Sequence, residues 1–186
     1  MTFRIRPRAL ALVLALAAPC LATASDYTVQ PGSTLGFADS FQGSSFDGHF
    51  DKWTAAISYD QTQLASSKFD VTVDLSSAKT GDNDRDSALP GADFFDVAKF
   101  PQAHFVTTAF HQQGSQVVAD GMLTLRGVTK PVSLNVIFKP QGSGATLDVS
   151  GSLKRLDFGV GGGQYADTSV IGADVKITAH LVLKGK

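Results

Sequence analysis

Glutamate is absent from this 186-residue chain, and every one of its 17 acidic residues is aspartate. Glutamate suits helix interiors, whereas aspartate suits turns and caps, so a helical bundle is a poor fit. Cysteine occurs once, as Cys20, which excludes a disulfide within the chain. The charges nearly cancel, at a formal net charge of −1, and no basic stripe is present to hold nucleic acid or an anionic lipid surface. No apolar run reaches the roughly 20 residues that a bilayer span needs. What is abundant is phenylalanine, 13 residues, and glycine, 18 residues, alongside many Ser, Thr and Val. This is the composition of a β-protein.

The first residues read as an export signal. Arg4, Arg6 and Arg8 precede the short apolar run Ala9 to Ala18, Pro19 breaks it, and Ala22-Thr23-Ala24 has the small-x-small form of a leader-peptidase site. Basic, apolar and small is the order of a secretory signal. The arginines are not adjacent, as a twin-arginine signal requires. Cleavage is expected after Ala24, giving a signal peptide over 1–24 and one mature domain over 25–186 in the periplasm. Cys20 follows Pro19 rather than a small residue, so lipid attachment there is not expected. The mature chain then has no thiol chemistry in an oxidising compartment. Losing three arginines also makes it more acidic.

Period-two alternation dominates the rest. Phe69, Val71, Val73 and Leu75 share one face of a strand that begins at Lys68. Val132, Leu134, Val136 and Phe138 repeat the pattern, with Ser133, Asn135, Ile137 and Lys139 opposite. Val175, Ile177, Ala179, Leu181 and Leu183 do so near the end. Weaker strands read at 27–29, 35–37, 46–50, 55–59, 104–110, 116–119, 122–126 and 146–153. Turn signals separate them at Gln30–Ser33, Gln113–Ser115, Lys139–Gly144 and Gly161–Gly163. Gly127 to Pro131 reads as a hairpin. One segment breaks the rhythm, Asn83 to Phe100; Asp84 or Asp86 is expected to cap a short helix through Leu89 and Phe94-Phe95, kept short by Pro90 and Gly91. Eight or more antiparallel strands with one short helix specify a barrel or a sandwich.

Signatures of chemistry are few. The histidines His49, His104, His111 and His180 are scattered without metal-ligand spacing. No nucleophile elbow of the G-x-S-x-G type is present. Gly159 to Gly163 lacks the Lys-Ser/Thr that follows a phosphate loop, and Asp82, Asp84 and Asp86 lack the Gly and Glu of a calcium loop. No catalytic residue, metal or cofactor is expected. Phe46, Gly48 and Phe50 share one strand face, and Phe94, Phe95, Phe100 and Phe105 lie in or beside the irregular segment. These side chains suit either a filled core or an apolar cavity, since a barrel of about eight strands can do either.

Several motifs together resemble the YceI-like family. Gly121 to Val132, GMLTLRGVTKPV, is similar to its G-x-L-T-x-x-G-V-T-K-P-V hairpin. Thr80 to Leu89 resembles its T-x-x-x-x-R-D-x-x-L segment, and Asp93 to Phe105 its D-F-F-x-x-x-x-F/Y-P-x-A-x-F segment. Gly48-His49-Phe50 and Asp157-Phe158-Gly159 match shorter motifs, all in family order. The resemblance implies an all-β fold, an antiparallel lipocalin-like barrel of about eight strands with one short helix, around a long apolar cavity. It further implies a periplasmic carrier that binds an isoprenoid-tailed lipid, either a polyisoprenoid or a quinone, as ligand rather than cofactor. Phe46, Phe50, Phe94, Phe95, Phe105 and Phe138 are the expected wall, and Arg85 the expected polar contact, since a guanidinium suits a phosphate or a quinone carbonyl. The competing role for Arg85 is a salt bridge with Asp84, Asp86 or Asp93. Trp53 is expected to pack near a barrel end. Where the family often carries His-Ser before its first strand, this chain has Gly32-Ser33, so a headgroup contact is expected to be missing. Alternatives are a filled structural or stress-response barrel and, from another class, an enzyme acting on a lipid. A membrane quinone-using redox protein would be the natural partner of a quinone carrier, and exposed sheet edges offer a route to a homodimer.

Overall fold

The computed structural model describes residues 24–186. The leader reading and Cys20 fall on residues 1–23, outside the described residues. The polar–apolar alternation that starts at Ser25 forms β1 (Ser25–Val29), bends at Pro31-Gly32, and continues as β2 (Thr34–Phe41). A two-residue turn at Gln42-Gly43 leads into β3 (Ser44–Phe50), followed by β4 (Trp53–Tyr59) and β5 (Lys68–Asp74). Leu75, expected to end the fifth strand, instead opens a single 3₁₀ turn, Leu75–Ser77, that Asp74 caps by accepting from the Ser76 N–H. It remains buried. The very short β6 (Ala78–Lys79) follows and was not evident in the sequence.

The helix α1 (Asn83–Ala88) is capped by Asp82, not by Asp84 or Asp86 as expected. Its Oδ1 accepts from the Asp84 N–H at 3.1 Å and the Arg85 N–H at 3.0 Å, the reciprocal of the unsatisfied donors at a helix start. Asp86 faces back to Thr80 and accepts from its N–H at 2.7 Å. The helix ends at Ala88, before Pro90, and Phe94 and Phe95 lie beyond it in turns; Leu89 still has helical angles, but Pro90 has no N–H with which to continue the ladder.

Five long strands complete the chain: β7 (Gln102–Gln113), β8 (Gln116–Leu125), β9 (Val128–Gln141), β10 (Gly144–Lys154) and, after a loop, β11 (Asp174–Gly185). The segments at 116–119 and 122–126 are one strand, β8, facing a bulge in β7 between Thr107 and Ala109. Arg126 and Gly127, both at positive φ (50° and 74°), form the turn between β8 and β9. A two-residue turn of this hand matches strand twist and calls for glycine. The Phe100 ring also occupies the space a Cβ at Gly127 would need.

β11 pairs with β10 on one side. On its other side it pairs with β1 through Leu183–Gly185 and with β2 through Lys176–His180. β1 then pairs with β4, which closes an antiparallel barrel of eight strands in the order β1-β4-β5-β7-β8-β9-β10-β11. Closure leaves no free edge around that ring. β2, β3 and β6 extend from β11 as a flap at the end of the barrel where β11 begins. The alternation read from sequence holds: on β11 Lys176, Thr178, His180 and Lys184 are exposed, and Leu181 and Leu183 are buried.

Candidate functional site

The inner faces of the barrel strands do two different things along their length. At the end where β1 begins and β11 finishes, they fill the interior. Tyr59 is 1% exposed and stands at the centre of an aromatic group, 4.9 Å from Phe138 and 5.8 Å from both Phe69 and Phe110, ring centre to ring centre. Phe69 meets Phe110 edge-on at 4.8 Å, and Tyr27 meets Phe138 likewise at 5.6 Å. Val136, Leu147, Leu181 and Leu183 pack around this group. Burial, with Asp60 alongside, pushes the Tyr59 phenol up.

Towards the other end the same faces border a cavity of about 580 Å³. Ile57, Phe69, Leu147 and Leu181 form its floor against the aromatic plug. Above the floor the wall is largely aliphatic and small: Ala55, Val71, Val73, Val149, Val175, Ile177 and Ala179. Two glycines shape it. The Phe37 ring lies over Gly48, directly opposite on β3, and the Phe105 ring lies over Gly121 on β8; a Cβ at either glycine would collide with the ring. Covering a strand glycine with a cross-strand aromatic lets the ring lie along the sheet instead of across the barrel.

Two irregular segments, 80–101 and 155–173, partly cover this end, where the cavity-lining residues Phe41, Asp84, Ala88 and Tyr165 are exposed and the cavity opens to solvent. The two segments meet where the Gly161 N–H donates to the Asp93 carbonyl at 2.8 Å and where Phe94 packs on Tyr165 at 5.0 Å. Two arginines that sequence reading did not single out hold them. Arg126, at the β8–β9 turn, donates to the carbonyls of Gly159 and Ala92, one in each segment. Arg155 is only 2% exposed, and every N–H of its guanidinium goes to a backbone carbonyl: Nε to Gly172 at 2.8 Å, Nη1 to Val160 and Gly161, and Nη2 to Tyr165 and Ile171 at 2.9 and 3.0 Å. A guanidinium has five such donors, so all are satisfied. Nothing in a one-dimensional pattern marks these roles, because each depends on a loop returning from elsewhere.

Of the expected wall residues, Phe46, Phe50, Phe94, Phe95 and Phe105 all border the cavity, and so does Arg85. The Phe37 and Phe50 rings meet at 5.2 Å, tilted by 45°, and Phe50 reaches Phe95 at 6.3 Å. Phe138 does not border it. Although it shares a face of β9 with Val132 and Leu134, which do, it sits four to six residues nearer the filled end, inside the aromatic plug. Trp53, on β4, borders the cavity. Gly32 and Ser33 lie at the bend between β1 and β2, away from the cavity, where the Ser33 hydroxyl bridges Gln30 and Val182. Neither residue borders the cavity.

Arg85 pairs with Asp82, at 3.5 Å, rather than with Asp84, Asp86 or Asp93. Its guanidinium lies over the Phe46 ring at 4.4 Å, tying α1 to β3 by a cation–π contact, and its Nε donates to the Thr80 hydroxyl at 3.3 Å. The other charged groups at the cavity are Asp39, Asp82, Asp84 and Arg155. Burial pushes the Asp39 carboxyl up, against the pull of the Ser40 N–H and of Arg155. The four histidines are elsewhere, each beside an aspartate: His49 by Asp51, His104 by Asp70, His111 by Asp120 and His180 by Asp148. Among the described residues no group of three metal-ligating side chains occurs.

The barrel is similar to known proteins over most of its length. The model of the YceI-like domain matches residues 27–183. A UPF0312 protein of Pseudomonas savastanoi pv. phaseolicola is 35% identical over 165 residues, covering 83% of this chain and 86% of the relative. Among solved structures, BcnA of Burkholderia cenocepacia superposes with a TM-score of 0.79 at 30% identity, over 83% of this chain and 99% of that one. A polyisoprenoid binding domain from Saccharophagus degradans superposes with a TM-score of 0.66 over 89% of this chain and 100% of that one, at 17% identity, a likeness of fold. The chain belongs to the YceI-like family.

Proposed function

We propose that this protein is a periplasmic carrier that holds one isoprenoid-tailed lipid, a polyisoprenoid or a quinone, in the cavity of its barrel. The observation that carries the proposal is the cavity itself: about 580 Å³, walled by aliphatic and aromatic side chains and closed at one end by the Tyr59 plug. An apolar cavity stays dry, and its walls lack partners for dispersion contact until an apolar guest enters. Each methylene-sized group transferred from water gains about 0.8 kcal/mol. Ten such groups supply roughly 8 kcal/mol before binding costs, the scale of micromolar affinity. The tail therefore provides affinity, and polar groups at the open end select the head.

The structural likeness to a polyisoprenoid binding domain agrees with this function, as does the leader-like start at Arg4 to Ala24. A lipid that is insoluble in water needs such a container to cross an aqueous compartment. A membrane quinone-using redox protein is the recipient that a quinone cargo would require. Binding is favoured over catalysis because Arg155 and Arg85 are already committed to backbone carbonyls, an aspartate and a ring face.

Native mass spectrometry of the protein purified from the periplasm, followed by organic extraction, tests the proposal. One isoprenoid-tailed lipid per chain is expected. A bare protein that also takes up no added isoprenoid would overturn it.

A further inference from the structure

We propose that the carried lipid has an uncharged head, such as a hydroxyl or a quinone carbonyl, and that the open end of the cavity rejects the same tail when it ends in phosphate or diphosphate. This inference rests on the carrier function above and narrows its ligand class.

The ionisable groups at the cavity are three carboxylates, Asp39, Asp82 and Asp84, and two guanidiniums, Arg85 and Arg155; among the described residues no lysine borders it. Neither guanidinium is free. Arg155 has an acceptor for each of its five N–H groups, all backbone carbonyls of the 155–173 cover. A phosphate that took one of these donors would orphan a carbonyl and loosen the cover. Arg85 is balanced by Asp82 and seated on Phe46. The start of α1 is closed to anions as well, because Asp82 already accepts from its first N–H groups. Among the described residues Asp39 and Asp84 form no ion pair.

A diphosphate entering here would shed hydration, which is costly for an anion, and would meet carboxylates without a spare cation. Like charge at close range adds to that cost. An uncharged head sheds far less and asks for one or two hydrogen bonds. Asp39 can meet that need. Its Oδ1 accepts from the Ser40 N–H at 2.7 Å, and its second oxygen has no partner among the described residues, so it can accept a hydrogen bond from a hydroxyl head; burial pushes this carboxyl up.

The test uses lipid-stripped protein titrated with geranylgeraniol and with geranylgeranyl diphosphate, which share one tail. Trp53, which borders the cavity, is the fluorescent reporter, and native mass spectrometry gives stoichiometry. The alcohol is expected to bind tighter by about tenfold or more. In Asp84→Lys, and to a smaller extent in the isosteric Asp84→Asn, the diphosphate should gain several-fold relative to the alcohol. A diphosphate that binds wild type as tightly as the alcohol overturns the inference and leaves the carrier function standing. So does a preference that neither Asp84 variant alters. If neither compound binds, the carrier function itself fails and this inference fails with it.

Discussion

The filled and hollow ends of the barrel are built from the same strands with the same inward–outward alternation. Along β9, Val132 and Leu134 border the cavity while Val136 and Phe138 are packed solid; along β11, Val175, Ile177 and Ala179 border it while Leu183 is packed solid. The difference lies in what meets across the barrel axis. At the filled end, rings from β5, β7 and β9 converge on Tyr59 of β4. At the hollow end small aliphatic side chains face one another, and the large rings of Phe37 and Phe105 lie over Gly48 and Gly121. The hydrogen-bonded ring of eight strands holds the wall apart, so the interior is not free to collapse onto itself. Stability is concentrated at one end and binding capacity at the other.

The sharpest way to break this division is to empty the filled end. Leu183→Ala, at a residue 3% exposed in the plug region, should cost about 2–5 kcal/mol, as buried Leu→Ala changes do. The matched change at the hollow end, Ile177→Ala, should cost distinctly less, since that side chain already borders empty space. Urea unfolding of the lipid-free proteins measures both, and equal losses would erase the distinction. Next in size is the cover. Arg155→Leu removes the donors from five carbonyls and should cost about 3 kcal/mol. Amide hydrogen exchange should rise first over residues 160–172 and last at the plug.

Filling the hollow end should do the reverse. Ala179→Phe places a ring in the cavity; lipid uptake should fall by about tenfold or more, with stability within about 1 kcal/mol of wild type. A large loss of stability without loss of binding would show that the space is not the binding site.

The smallest effect is in pH dependence, where two aspartates have opposite signs. Asp70, on the outside of the barrel, has its carboxyl pulled down, first by the His104 hydrogen bond. Its contribution is present above the ordinary carboxylate pKa of about 3.9 and fades as pH falls below it. Asp39, at the open end, is pushed up by burial. It binds its proton more tightly folded than unfolded, so it favours the folded state at low pH and loses that contribution as pH rises. Thermal melts from pH 3 to pH 6 should show Asp70→Asn flattening the acid limb and Asp39→Asn steepening it.

How much of this was legible in the sequence varies by element. The alternation at Lys68–Leu75, Val132–Phe138 and Val175–Leu183 identifies strands and their inward faces, because side-chain direction along a strand is a local property. The hairpin between β8 and β9 was legible too, but it was read over Gly127–Pro131 and the turn is the tighter Arg126-Gly127, with Val128–Pro131 already in β9. Five of the six phenylalanines expected at the cavity border it, but Phe138 does not. Its face was correct and its depth was not, since depth is set by register among strands distant in sequence. The cap of α1 was misplaced from Asp82 to Asp84 or Asp86, as three alternating aspartates offer equivalent caps until Thr80 engages one of them.

By itself, then, the sequence determined the β class, the turns, the inward faces and, through its motifs, the family. Tertiary structure alone decided that the barrel closes through β1 and β11, that one end is plugged and the other hollow, and that Arg126 and Arg155 tie the cover. Periodicity constrains which way a side chain points. Whether the space it points into is full depends on the volumes arriving from the opposite wall, and those are brought together only by long-range pairing.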